Sequence, residues 1–207
     1  MLLYLTRHGQ TNWNLIKRLQ GQSDIPLNDH GMMTAKLTGE QLKSVPFTRA
    51  LSSPLKRAYK TCELILENRP IPIEKEPDLM EISFGDYEGY CATGEPIVIP
   101  NPEFYDNFFH HPEQYVAPPN GESFEMLRKR ARRFLNKLVN KTEWKDDIIL
   151  ATAHGTIICA ILAELHNYDI THFWGKGVPR NCSITTIRFE NGTITIEEED
   201  KVLFTLK

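Results

Sequence analysis

Basic side chains are missing from a long stretch of this sequence: between Glu76 and Leu127 there is neither Lys nor Arg, although the chain carries 24 of them against 27 acidic residues. That stretch cannot supply strong cations to a polyanion. A net charge of -3 and a pI near 6.2 also remove the overall basic field that attracts nucleic acid or anionic lipid. No nucleic-acid partner and no membrane are therefore expected, and any bound anion must be held by local charges. CxxC pairs are absent. The four cysteines, Cys62, Cys91, Cys159 and Cys182, are scattered and read as reduced thiols in a cytoplasmic protein. Long apolar runs are lacking too: IICAILA from Ile157 is far below membrane-spanning length, and the opening LLYL is too short for a signal-peptide core. There is no GxxxxGK[ST] loop and no Asp-rich metal cluster. His110 and His111 adjoin, and neighbouring side chains rarely point at one ion, so no metal and no cofactor are expected.

What is present suits one soluble domain of 207 residues, 41% hydrophobic. LLYLT from Leu2, RALSS from Arg49, IPIEKE from Ile71 and DIILAT from Asp147 read as strands. DHGMMTAKLTGEQL reads as a helix with Met33, Leu37 and Leu42 on its apolar face, and Ser123 to Lys141 as a second, striped by Phe124, Leu127, Ala131, Phe134, Leu135 and Leu138. The basic run RKRARR from Arg128 falls on the opposite, solvated face of that helix. ITTIRFE and TITIEEE flank Asn191-Gly192, the signature of a type I′ hairpin, and VLFTL reads as a further short strand. Strands alternating with helices predict a three-layer α/β/α sandwich with a largely parallel central sheet and antiparallel C-terminal strands. Residues 86–122, rich in Pro and aromatics, predict a lid inserted into it, with a short helix around Glu103 to His110.

Three of the strands end in chemistry: Arg7-His8-Gly9, Ser53-Pro54-Leu55-Lys56-Arg57 and His154-Gly155-Thr156. Ligands of open α/β sheets bind beyond the carboxyl ends of the strands. Ser53 suits an N-cap and Pro54 a first helical position, which puts Arg57 in the first turn, leaning back over the strand tip. Helix N–H groups there favour an anion. Two arginines and two histidines on one side of an acidic protein suit a phosphoryl group, since guanidinium forks match its oxygens in pairs. A neutral imidazole can attack phosphorus directly. Alone, an Arg-His pair at a strand end is most often surface; the convergence is what argues for a site.

TRHGQTNWN, RLQGQSDIPLNDHG, LSSPLKRAYKT, LMEISFGDYEG, NGESF and TAHGT, in this order, resemble the histidine phosphatase superfamily, the phosphoglycerate-mutase-like group, in its short bacterial phosphatase branch. The resemblance implies that His8 is the phosphorylated nucleophile and that Arg7, Asn14, Arg57 and His154 form the phosphate pocket, with Gly155 packed close through its backbone. It implies Glu81 as the acid that protonates the leaving oxygen, with Glu88 as the competing assignment. Gln20, Gly21 and Tyr90 would line the substrate entrance. Ala153 departs from relatives that frequently carry Ser or Thr there.

Three functions are weighed on this basis. The first is a metal-independent phosphomonoesterase acting on a small phosphate ester such as a sugar phosphate or nucleotide precursor. The others are a bisphosphoglycerate-dependent mutase and a non-catalytic phosphate-binding module. The lid without Lys or Arg favours the first, and predicts monophosphates with neutral or aromatic alcohol portions. A homodimer is compatible with the sequence.

Overall fold

The apolar runs form strands whose alternate side chains feed two separate cores, in a computed structural model that describes residues 1–91 and 99–205. The strands are β1 (Leu2–Arg7), β2 (Arg49–Ser52), β3 (Ile73–Lys75), β4 (Ile148–Ala153), β5 (Ile184–Glu190) and β6 (Thr193–Lys201). The helices are α1 (Asn12–Leu15), α2 (Asp29–Gln41), α3 (Lys56–Leu66), α4 (Phe104–Phe109), α5 (Phe124–Asn140) and α6 (Gly155–Leu165). Leu3, Leu5, Leu51, Ile149 and Ala151 enter the core shared with α5 and α6. Tyr4, Ala50 and Leu150, one residue out of phase, enter the core lined by Cys62, Ile65 and Leu66 of α3 and by Leu42 just beyond α2. Period-two alternation thus splits the helices between the two faces. Burying each large aliphatic side chain contributes about 1.5–3 kcal/mol.

The sheet order is β3-β2-β4-β1-β5-β6. β3, β2, β4 and β1 run parallel, while β5 and β6 are antiparallel additions. The hairpin turns on Asn191 and Gly192, both at positive φ, as a type I′ turn requires. In the central pair Arg7 lies opposite Ala153, so the residues that follow, His8 and His154, leave the sheet side by side. Register alone brings together two histidines far apart in sequence.

Some expectations change. The buried face of α2 is Gly31, Thr34, Ala35, Thr38 and Gly39, whereas Met33 is exposed. The reason is backbone contact: a Cβ on Gly39 would stand 2.7 Å from the Ile65 carbonyl oxygen of α3, so small residues face inward and larger ones outward. Val202–Thr205 form no strand, and Leu206 lies outside the described residues. β6 is irregular at Asp200, whose φ is 53° and whose carboxylate accepts from Arg180; it pairs once more, Lys201 opposite Ile184, and ends there.

The segment expected as a lid contains α4 and shares the main core, although residues 92–98 of it lie outside the described residues. Phe104 and Phe108 are buried against Phe84, and Phe108 also against Phe124. The Trp174 indole N–H donates to the Phe108 carbonyl at 2.8 Å. No helix of the described residues is long and apolar enough to cross a membrane.

Candidate active site

His8 follows β1 directly and is almost fully buried. Its backbone N–H donates to the Ala153 carbonyl, extending the parallel ladder by one residue and fixing the ring over the strand tips. Nδ1 lies 2.6 Å from the Gly9 carbonyl oxygen. A carbonyl only accepts, so the proton sits on Nδ1 and the lone pair on Nε2. That lone pair takes the Arg57 Nε–H at 3.3 Å. Burial foremost, then the Arg57 and Arg7 cations, hold the imidazole pKa well below its ordinary 6.5, against the pull of the Gly9 hydrogen bond. His8 is a neutral base whose Nε2 lone pair is met by the Arg57 Nε–H.

His154 is fully buried, with its ring centroid 5.1 Å from that of His8. Nε2 and the Ser53 hydroxyl are 2.8 Å apart, and Nδ1 is buried without a partner among the described residues. Burial, then Arg57, His8 and Arg7, push its pKa well below 6.5 as well. Two histidines held neutral in the fold must both charge when it opens. The unfolded chain takes up two protons as pH falls through 6.5 that the folded chain refuses until lower pH. Stability should therefore drop on acidification from that point, by up to about 2.7 kcal/mol per pH unit from this pair. Urea midpoints measured at stepwise lower pH check this, and His8→Ala should lessen the slope.

Arg57 is fully buried and reaches back from the first turn of α3. Its Nη1 donates to the Ser23 carbonyl at 2.8 Å and Nη2 to the Gly21 carbonyl at 2.7 Å. Burial lowers its pKa to about 10, opposed by Glu81, Asp24 and Glu88. The local start of α3 differs from expectation. Leu55, not Ser53, is the N-cap, and Pro54 precedes the helix; the Ser53 hydroxyl is 2.8 Å from His154 Nε2 and accepts from Leu55 N at 3.4 Å. Asp24 supplies the missing cap, accepting from Lys56 N at 2.7 Å.

The N-terminus of α6 is also occupied by a carboxylate of the chain. Glu81 Oε1 accepts from Ile82, Thr156 and Ile157 backbone N–H groups at 3.0–3.2 Å, and Oε2 from Thr156 at 3.1 Å. Both helix starts expected to face a ligand anion are thus filled by Asp24 and Glu81. The backbone carrying Glu81 is fixed in turn. Arg130 donates to the Asp78, Met80 and Glu81 carbonyls and pairs with Glu122 at 2.7 Å. The basic run on α5 is therefore more than a solvated face: Arg130 is inward and only 11% exposed.

Arg7 donates to the Pro179 carbonyl at 2.7 Å, and its Nε is buried without a partner among the described residues. Burial lowers its pKa too. Gly155 leaves room for Val178, whose Cγ1 would stand 2.7 Å from a Cβ there, whereas Arg7 Nε would be in ordinary contact at 3.6 Å.

Arg7, His8, Gln20, Gly21, Arg57, Glu81 and Gly155 line one cavity of about 150 Å³. His154 stands behind it. Asn14 and Tyr90 are not in its wall. Asn14 Oδ1 accepts from Thr11 N and Oγ1 in the capping box of α1, and the Tyr90 ring packs on Tyr87. Glu88 is absent from the wall as well; its carboxylate accepts from Gln22 N, Phe84 N and the Ser23 hydroxyl and so holds the entrance loop. Glu81 is the sole carboxylate lining the cavity among the described residues. Arg18, Trp174 and Val178 line it unforeseen, beside Phe108 and Phe109 of the expected lid. Arg18 stands next to the entrance residues Leu19-Gln20-Gly21, which was its available signal; Trp174 and Val178 sit in an irregular loop with none.

A buried neutral imidazole whose Nε2 accepts from Arg57, with Arg7 in the same cavity wall at the strand ends of a mostly parallel sheet, makes a cationic pocket suited to an anion. The chain matches the histidine phosphatase superfamily (branch 1) over residues 3–200 and belongs to that family. It is 37% identical over 165 residues to the uncharacterized phosphatase PhoE of Bacillus subtilis, covering 80% of this chain and 77% of that protein. It is 30% identical to the adenosylcobalamin/alpha-ribazole phosphatase of Salmonella typhimurium, covering 88% of each. Among solved structures it superposes on YhfR of Bacillus stearothermophilus with a TM-score of 0.89, at 32% identity over 97% of both chains. Phosphoglycerate mutases occur among the relatives as well.

Proposed function

We propose that the chain is a cytoplasmic, metal-independent phosphomonoesterase that hydrolyses a small phosphorylated metabolite through a phosphohistidine on His8. The observation that carries this reading is the tautomer of His8, which puts the lone pair on Nε2, against Arg57, in the wall of the cavity. As substrate enters, Arg57 gives up its contact with Nε2 and, with Arg7, holds the phosphoryl oxygens, while His154 backs the site from behind the cavity wall. The freed Nε2 lone pair then attacks phosphorus as the bond to the leaving oxygen breaks. The arginines supply the charge that a metal would otherwise provide. Glu81 gives a proton to the leaving oxygen, and Oε2, with a single partner, is the oxygen free to carry it. Water then attacks the phosphohistidine, Glu81 takes its proton, and inorganic phosphate leaves. Gln20 and Gly21 serve the entrance.

The test is a panel of phosphomonoesters with a chelator present. Turnover of monoesters unaffected by the chelator supports the proposal. A requirement for added metal overturns it, and strong bisphosphoglycerate-dependent isomerisation would replace it with a mutase. The lid without Lys or Arg opposes the mutase, which must grip a second phosphate. Glu81→Gln separates the roles: with an alkyl phosphate the rate should fall about 10²–10⁴-fold, but far less with p-nitrophenyl phosphate, whose leaving oxygen needs no proton. Equal losses on both would remove Glu81 as the acid.

A further inference from the structure

Both polar groups of the peptide that joins His8 to Gly9 are taken by side chains from far along the chain. Its N–H donates to the Thr61 hydroxyl of α3 at 2.9 Å, and its carbonyl accepts from Asn181 Nδ2 at 2.7 Å. The direction of each bond is fixed. The single Thr61 hydroxyl proton goes to the Arg57 carbonyl at 2.7 Å, so toward Gly9 this oxygen accepts. A carbonyl cannot donate, so the NH2 end of Asn181 faces His8. Within α3 itself Thr61 is a poor choice, since a hydroxyl bonded back to the carbonyl four residues earlier slightly destabilises a helix. Asn181 precedes Cys182, a non-glycine residue at a φ of 58°, which persists only where the surroundings over-determine it. Here they do. Cys182 N donates to the Arg7 carbonyl at 3.0 Å, the Cys182 carbonyl accepts from Thr38 Oγ1 of α2 at 3.3 Å, and Ser183 N and Oγ both donate to the Arg180 carbonyl.

What this peptide controls is the next carbonyl. Gly9 O, 2.6 Å from His8 Nδ1, is the acceptor that keeps the ring proton on Nδ1. The Gly9 backbone is also wedged against α2, because a Cβ there would stand 2.5 Å from the Gly31 carbonyl oxygen. With the preceding peptide pinned at both ends and Gly9 wedged, the Gly9 carbonyl is aimed at the ring. The Arg57 contact with Nε2 favours the same tautomer, but it is longer, at 3.3 Å, and it ends as substrate enters. From then on the phosphoryl oxygens draw a proton toward Nε2, where it would block attack. The Gly9 carbonyl is the group that opposes this.

We infer that Thr61 and Asn181 are positioning residues: gripping the His8–Gly9 peptide from both sides, they aim the Gly9 carbonyl at Nδ1 and hold the nucleophile in the tautomer that attacks. This rests on the phosphatase reading above. Neither side chain touches the phosphoryl group; both act through the backbone on His8. Thr61 also joins the two halves of the site, since the same hydroxyl that accepts from Gly9 donates to the carbonyl of Arg57.

The test compares Thr61→Val, which keeps the shape and loses the acceptor, Thr61→Ser, which keeps the hydroxyl, and Asn181→Ala. The two ring nitrogens of His8 are followed by NMR in the free enzyme, identified by their loss in His8→Ala. In wild type their signals should lie far apart, as those of one protonated and one unprotonated nitrogen do. In Thr61→Val and Asn181→Ala the tautomer ratio should move about tenfold toward Nε2–H, drawing the signals together, the size of one lost hydrogen bond. Single-turnover release of p-nitrophenolate from p-nitrophenyl phosphate, which needs attack by His8 and no acid, should slow by up to about tenfold in the same two variants. Thr61→Ser should match wild type in both measurements. Urea melts identify a folding defect, which would not move the ring nitrogens of the folded chain. Ring nitrogens unchanged in both variants, or a wild-type rate in both, overturn the inference and leave the phosphatase reading standing. Failure of wild type on the whole phosphomonoester panel overturns that reading; the ring nitrogens, read without substrate, still decide whether this grip sets the tautomer.

Discussion

His8→Ala should lower the turnover of phosphomonoesters by about four orders of magnitude or more while the chain stays folded. No other group can take over. His154 is the nearest imidazole, but its Nε2 is committed to Ser53 and it lies behind the cavity wall. Glu81 is tied to the start of α6. The structural penalty is smaller than the catalytic one. The His8 side chain makes one hydrogen bond to its own neighbour Gly9 and accepts one from Arg57, so removing it costs about 1–3 kcal/mol. Rapid acid-free quenching of wild type with 32P-labelled substrate should trap a label on the protein that survives base and is lost in acid. His8→Ala should show none. If the variant still turned over at the wild-type rate, or still took up the label, His8 would not be the nucleophile.

The elements most legible in the sequence were those fixed by local physics. The strand from Leu2, the helix from Ser123 with its apolar stripe, and the Asn191-Gly192 turn each depend on neighbours a few residues away, and each formed as expected. His8 and His154 were legible as a pair because both terminate strands, although only the register of Arg7 on Ala153 places them side by side. What escaped depends on distant partners. Ser53 has the chemistry of an N-cap, but its hydroxyl is paired with His154, 101 residues away. Arg130 has the position of a solvated residue, yet it holds the backbone on which Glu81 rides. Arg18, which lines the cavity from the loop after β1, escaped for a related reason: its place in the wall is set by the fold and not by its neighbours in sequence.

Arg57 shows how far one buried side chain joins fold to chemistry, and Arg57→Ala should therefore fail in both respects. It leaves the Gly21 and Ser23 carbonyls without their donor in a dry loop, at about 1–3 kcal/mol each. Part of this is offset because the guanidinium no longer has to be desolvated, the effect that lowers its pKa to about 10. A net destabilisation of about 2–4 kcal/mol is expected in urea melts. Loss of a clamp on the phosphoryl oxygens should lower kcat/KM by about 10³-fold. Arg57→Lys should recover little of either, since one ammonium cannot reach two carbonyls and Nε2 together. The decisive readout is His8 itself. Burial is the main reason its pKa is low, and the Arg57 cation is the next. Removing Arg57 takes away that repulsion and opens the site to water, so the His8 imidazole should titrate at higher pH than in wild type. A purely structural Arg57 would lower stability and leave the His8 titration, followed by NMR of the ring protons, where it was.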